Sequence, residues 1–152
     1  MTSLPTNPAS PGTPPHEPEP APTPQNPSQS APPRLPGLHL MGDLYGCQCA
    51  PEQLLDADFL SSHCQKLVEQ AGLHALQTLF HRFEPEGGVT GMVVLAESHL
   101  SLHTWPEENY VTLDVYVCNH SADNRDKAQQ LFAELMATFQ PADPHLWRID
   151  RA

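Results

Sequence analysis

Ala96-Glu97-Ser98-His99-Leu100-Ser101-Leu102-His103-Thr104-Trp105-Pro106-Glu107 is the stretch on which the reading of this chain turns. It sets a Glu-Ser bond inside an apolar, strand-like run, a histidine five residues after that serine, and a carboxylate beyond a Trp-Pro turn. Outward from it, Val89 to Glu97 is β-branched and apolar, and Leu100 to Thr104 alternates, so both read as strands. Trp105 to Asn109 turns the chain. Tyr110 to Cys118 is a further strand, with Val111, Leu113, Val115 and Val117 on one face and Tyr110, Thr112, Asp114, Tyr116 and Cys118 on the other.

The flanks complete the pattern. Leu38 to Tyr45 alternates as a first strand, and Ala50-Pro51 interrupts it. Asp56 or Asp58 can cap a helix to about Ala71, with Phe59, Leu60, Cys64, Leu67 and Val68 at helical spacing and Gly72 as its stop. Leu73 to Phe83 reads as a strand and Glu84 to Gly88 as a turn. After the central stretch, Ser121-Ala122-Asp123 opens a helix to about Phe139, which Pro141 ends, and His145 to Arg151 is a last short strand. The order β-α-β-β-β-β-α-β predicts an α+β fold: a two-layer sandwich with a mainly antiparallel sheet and two helices on one face. The other face is then open to a partner.

Residues 1–36 stand apart. They hold 13 of the 18 prolines, and their only charges are Glu17, Glu19 and Arg34. Such a segment cannot bury enough apolar surface to offset its ordering entropy, so it is expected to be a disordered, Pro-rich tail ahead of one domain at 37–152. It lacks the basic start and apolar run of a secretory signal. No segment reaches the length of a membrane span. A cytoplasmic location with reduced thiols at Cys47, Cys49, Cys64 and Cys118 is therefore expected. The net charge of −11 disfavours nucleic acid and anionic membranes as partners. Cys47 and Cys49 are separated by a single residue and have no second pair, so no metal site is expected.

The residues around Ser98 allow a reaction within the chain itself. The Ser98 hydroxyl can attack the Glu97 carbonyl and turn the amide into an ester, given a donor for the developing oxyanion. A base with a pKa near neutrality, which points to histidine, can then remove the Ser98 α-proton and expel the ester. Strand parity sets a condition on His103. Residues of odd separation face opposite sides, so Ser98 and His103 meet only if the chain bends between them or if Ser98 ends its strand.

This constellation resembles the self-cleavage site of the bacterial S-adenosylmethionine decarboxylase proenzymes, a pyruvoyl-dependent family. Three further strings carry the resemblance. Thr78-Leu79-Phe80-His81-Arg82-Phe83 is similar to the family's second strand. Gly88-Val89-Thr90-Gly91 is similar to its Gly-Val-Ser-Gly element, with threonine for serine. Tyr116-Val117-Cys118 resembles the strand bearing its proton-donor cysteine. The resemblance covers residues 38 to about 140. It implies cleavage between Glu97 and Ser98, with Ser98 becoming the pyruvoyl cofactor. It implies His103 as processing base, Thr90 as processing hydroxyl and Cys118 as catalytic acid. By position, Glu107 would meet ribose hydroxyls and Phe83 would stack on adenine. The pyruvoyl carbonyl would form a Schiff base with a small amino-acid-type substrate. The expected activity is decarboxylation of S-adenosylmethionine for polyamine (spermidine) synthesis, by a homodimer of cleaved protomers. Leu44 stands where the family usually has an aromatic ring. That leaves the same mechanism on ornithine or arginine as one alternative. An inactive paralogue that binds and regulates an active partner is another.

Overall fold

The computed structural model describes residues 35–85 and 87–151. Apart from Leu35 and Pro36, the expected Pro-rich tail lies outside the described residues. Six strands and three α-helices follow in the order β1 Gly37–Cys47, α1 Glu52–Leu55, α2 Ala57–Gln70, β2 Ala75–Arg82, β3 Val89–Leu95, β4 Ser98–Trp105, β5 Tyr110–Val117, α3 Arg125–Phe139 and β6 Pro141–Arg151. They build one antiparallel sheet in the order β2-β3-β4-β5-β1-β6. This is the expected α+β sandwich, with one more helix than the sequence pattern predicts. The extra helix, α1, is a single turn preceded by Pro51 at its N-cap, whose φ of −53° already suits a helix. The Gln53 side chain accepts from Ala50 N–H at 2.9 Å and closes that turn.

Alternation decides which side of the sheet is covered. In β5, Val111, Leu113, Val115 and Val117 are fully buried, while Tyr110, Thr112, Asp114 and Tyr116 point the other way. Leu100 and Leu102 of β4, Val89 and Val93 of β3, and Leu38, Leu40 and Leu44 of β1 join the valines. Helix α2 meets them with Leu60, Cys64, Leu67 and Val68. Helix α3 adds Ala128, Leu131, Phe132, Leu135 and Phe139. Each buried valine, leucine or phenylalanine among them contributes about 1.5–3 kcal/mol of transfer free energy. Asp56 caps α2 by accepting from Asp58 and Phe59 N–H, both at 3.0 Å, and Gly72 leaves it at φ +73°. His63 Nε2 lies 2.8 Å from Thr138 Oγ1 and ties α2 to α3.

Thr104 joins three elements from within the core. Its hydroxyl donates to the Leu54 carbonyl of α1 and accepts from Val89 N–H of β3, each at 2.7 Å. Gly88 and Gly91 flank that strand start where a side chain has no room. A Cβ at Gly88 would run into the Thr104 carbonyl, and one at Gly91 into the Phe80 ring.

Boundaries differ from the sequence reading at several strand and helix ends. The third strand stops at Leu95 rather than Glu97, because Ala96 and Glu97 form a two-residue hairpin turn between the paired Leu95 and Ser98. The last strand starts at Pro141, four residues early. Helix α3 ends at Gln140 with φ +49°, and β6 is an edge strand, where prolines at 141 and 144 need not donate to a neighbour. The fifth strand stops at Val117, which leaves Cys118 just past its end.

Among the described residues no helix covers the second face of the sheet. That face is mixed: His39, His81, His99, His103 and Asp114 alternate with exposed apolar residues such as Leu79, Met92, Val94, Trp147 and Ile149. A face with that much exposed apolar area suits a partner surface. Among the described residues no helix is long and apolar enough to cross a membrane.

Candidate active site

The hairpin from β3 to β4 presents the Glu97-Ser98 bond at one end of the sheet. Ser98 opens β4 with φ 129°, a region that residues with a side chain seldom adopt and that costs about 1–3 kcal/mol. Both sides of the bond are held. The Glu97 carbonyl accepts from Cys118 N–H at 2.9 Å, and Ser98 pairs in register with Val117. That N–H is a ready donor for negative charge developing on the Glu97 oxygen.

The neighbours of Ser98 are polar and partly enclosed. His99 Nδ1 lies 3.3 Å from Ser98 Oγ. Burial, with the nearby His39 imidazole, pushes His99 below the usual histidine value and favours its neutral form. His39 Nε2 is in turn 2.9 Å from Asp114 Oδ1. Tyr116 packs near both imidazoles, and its contact with the Cys118 thiol raises its hydroxyl above the ordinary phenol value. The Arg151 guanidinium sits 4.4 Å over the Tyr116 ring. A cavity of about 290 Å³ opens here, lined by Cys118, Tyr116, His120 and Arg151. Its size suits part of a small substrate next to the thiol.

The other residues singled out by the sequence gather at the opposite end of β4. Thr90 Oγ1 lies 2.8 Å from His103 Nδ1, across the β3–β4 pair. That contact ties the imidazole to β3 through Nδ1. Phe83 follows β2 at this end and meets His81 edge to face at 5.0 Å. Glu107 lies in the single 3₁₀ turn Pro106–Glu108 that follows β4. The strand from Ser98 to His103 is regularly paired on both sides and has no bulge. Five steps of strand rise put the two residues about 16 Å apart. Ser98 does lie at the end of its strand, but that distance keeps it from His103 within one chain, and no bend shortens it. The residues fall into two groups: Glu97, Ser98 and Cys118 at one end, Thr90, His103, Phe83 and Glu107 at the other.

Leu44, which stands where the family usually has an aromatic ring, is fully buried on the helix-covered face and is turned away from the open side. Its neighbour Tyr45 does face that side. It stacks on Tyr110 at 4.6 Å, and Tyr110 meets Trp105 at 5.0 Å, close to His103. The sequence reading missed this aromatic cluster, although the alternation of β1 and β5 already puts Tyr45 and Tyr110 on one face. It also missed His99 beside Ser98. The side-chain partners of Glu97 come from a loop more than twenty residues away and carry no local signal.

Comparison with known proteins fits this geometry. Residues 38–152 match the family model described as S-adenosylmethionine decarboxylase. The chain belongs to the S-adenosylmethionine decarboxylase family. This is an enzyme family of the pyruvoyl-dependent type. The S-adenosylmethionine decarboxylase proenzyme of Moorella thermoacetica is 36% identical over 115 residues, covering 76% of this chain and 86% of the relative. That of Prochlorococcus marinus is 42% identical over 101 residues, covering 66% and 78%. The crystal structure of the adenosylmethionine decarboxylase from Aquifex aeolicus VF5 aligns with a TM-score of 0.68 at 29% identity, covering 78% of this chain and 92% of that one. The family's sheet is thus the scaffold that presents Glu97-Ser98 in a hairpin turn.

Proposed function

We propose that this chain is a proenzyme that cuts itself between Glu97 and Ser98 and then decarboxylates S-adenosylmethionine for polyamine synthesis. The observation that carries the reading is the scissile bond: a serine at φ 129° whose preceding carbonyl already accepts an N–H from Cys118. Ser98 Oγ attacks the Glu97 carbonyl carbon through a five-membered ring. The C–N bond breaks as the C–O bond forms, and the hydroxyl proton passes to the freed amine. A base then takes the Ser98 α-proton, the Cβ–O bond breaks, and Glu97 leaves as a carboxylate. The dehydroalanine left at the new N-terminus tautomerises, adds water and loses ammonia, which leaves a pyruvoyl group. The residues fit that group, since Cys118 and its cavity lie beside the hairpin where it would form. Its ketone would supply an electron sink next to a bound α-amine. The chain's own contributions are the cavity beside the hairpin and the Cys118 thiol as proton donor to the product carbon, with Tyr116 lining the same cavity.

Two half-sites about 16 Å apart favour a homodimer as the active form. A two-fold axis crossing β4 near its middle would lay one open face on another with the strands reversed. The partner's His103 would then stand over Ser98 across a sheet gap of about 10 Å. The apolar residues of the open face supply surface for such a contact. The same pairing would bring the aromatic end, with Phe83, Tyr45, Trp105 and Glu107, over the thiol end. Rings and a carboxylate are what a purine nucleoside would use, so S-adenosylmethionine is favoured over ornithine or arginine.

Intact-mass measurement tests the first step. The purified protein should yield fragments of 97 and 55 residues (152 − 97), the shorter without a free amine at its N-terminus. Ser98→Ala should stay whole. Carbon dioxide release from S-adenosylmethionine, ornithine and arginine tests the second, with the highest kcat/KM expected for the nucleoside. A wild-type chain that stays whole through long incubation would support an inactive, regulatory paralogue instead.

A further inference from the structure

The Glu97 side chain makes more hydrogen bonds than any cleavage chemistry requires. Its Oε2 accepts from His120 N–H and from Asn124 Nδ2, each at 3.0 Å. Its Oε1 accepts from Ser121 N–H at 3.2 Å and from the Ser121 hydroxyl. The Ser121 hydroxyl, with the His120 and Ser121 amides, holds the carboxyl below its ordinary value, so it is charged at neutral pH. Asn124, only 4% exposed, donates from the same Nδ2 to the Cys118 carbonyl at 3.2 Å. Cys118 N–H returns to the Glu97 carbonyl at 2.9 Å. The circuit closes: Glu97 is tied by main chain and side chain to one loop, and that loop carries the thiol. Lys127 Nζ steadies Asn124 Oδ1 at 3.0 Å from the first turn of α3.

Resting on the self-cleavage reading above, we propose that Glu97 is a positioning residue: its carboxylate moors the upstream side of the scissile bond to the β5–α3 loop and holds Ser98 in its strained backbone conformation until the bond breaks. The downstream side is fixed by the β4–β5 ladder. With both sides fixed, the Glu97-Ser98 link cannot relax to an ordinary φ. Forming the Ser98 ester breaks the peptide link and removes that constraint. The mooring therefore speeds the first step, in which the carbonyl carbon gains Oγ and loses nitrogen. It does not take part in α-proton removal.

The test follows self-cleavage of full-length chain by denaturing electrophoresis in wild type, Glu97→Gln, Glu97→Ala and Ser121→Ala. Strain of the size seen at such residues corresponds to roughly a tenfold change in rate, or more. Glu97→Ala should be slower by at least that factor. Glu97→Gln keeps one acceptor oxygen and should fall between it and wild type. Ser121→Ala removes one donor outside the scissile bond and should slow cleavage several-fold with an unchanged circular dichroism spectrum. Since only the first step is affected, none should accumulate ester that hydroxylamine can cleave, whereas His103→Ala should. Cleavage of both Glu97→Ala and Ser121→Ala within about twofold of wild type would overturn the mooring while leaving self-cleavage standing. Hydroxylamine-sensitive ester building up in Glu97→Ala would overturn it too, because the delay would then lie in elimination. Wild type that never cuts overturns both readings.

Discussion

Mixed dimers of two inactive variants test whether His103 acts on its own chain or on its partner's. One chain carries Ser98→Ala and keeps His103; the other carries His103→Ala and keeps Ser98. A general base must come within about 3.2 Å of its proton, directly or through one water. Along β4 the two residues are about 16 Å apart, and a straight, doubly paired strand cannot close that gap. Across a face-to-face pair the gap is about 10 Å between backbones, which two side chains can fill. Each variant alone should stall, the serine variant as intact chain and the histidine variant as ester. Co-expressed in equal amounts and paired at random, about half of the His103→Ala chains sit beside a partner with an intact His103. About that fraction should be cut to completion, rising if protomers exchange, while the Ser98→Ala chain stays whole. Mass spectrometry distinguishes the chains by their substitutions. No cleavage of the His103→Ala chain in verified mixed dimers would refute the arrangement. Cleavage of that chain by itself would assign the base to another group, with His99, 3.3 Å from Ser98 Oγ, first in line.

Cys118→Ala should still self-cleave, because its backbone N–H remains for the Glu97 oxygen, but turnover should fall by about 10²–10⁴, measured as carbon dioxide release. Thr104→Val keeps shape and leaves Val89 N–H and the Leu54 carbonyl without partners, so denaturant titration should show a loss of about 1–3 kcal/mol or more. His63 and His99 both lie below the usual histidine value, mainly through burial, so both bind protons less readily folded than unfolded. Their contribution is complete above the ordinary value of 6.5 and is lost as the pH falls through their lower folded values; melting temperatures should drop over that range, less steeply in His63→Gln. Removing residues 1–34, which lack an apolar pattern with which to dock, should leave cleavage and turnover nearly unchanged.

Strand alternation made most of the sheet legible in advance. Val111 to Val117 and Leu100 to Leu102 declare their buried face by period two alone, and Asp56 and Gly72 bound α2 by local chemistry. The same local signals stop where pairing begins. Nothing in β1 says that it lies between β5 and β6, and nothing in Ala96-Glu97 says that the apolar run folds back there. The string Ser98 to Glu107 was visible because it is contiguous, and so was the parity problem between Ser98 and His103. Its outcome was not, because a bulge or a straight strand depends on what pairs alongside. The tertiary structure decided for the straight strand and so kept Ser98 and His103 at opposite ends of it. It also decided that Leu44 faces the helices, that Tyr45, Trp105 and Tyr110 meet, and that Glu97 finds its partners in the 120–124 loop. Each of these depends on contacts between residues far apart in sequence, which local propensity and spacing do not encode.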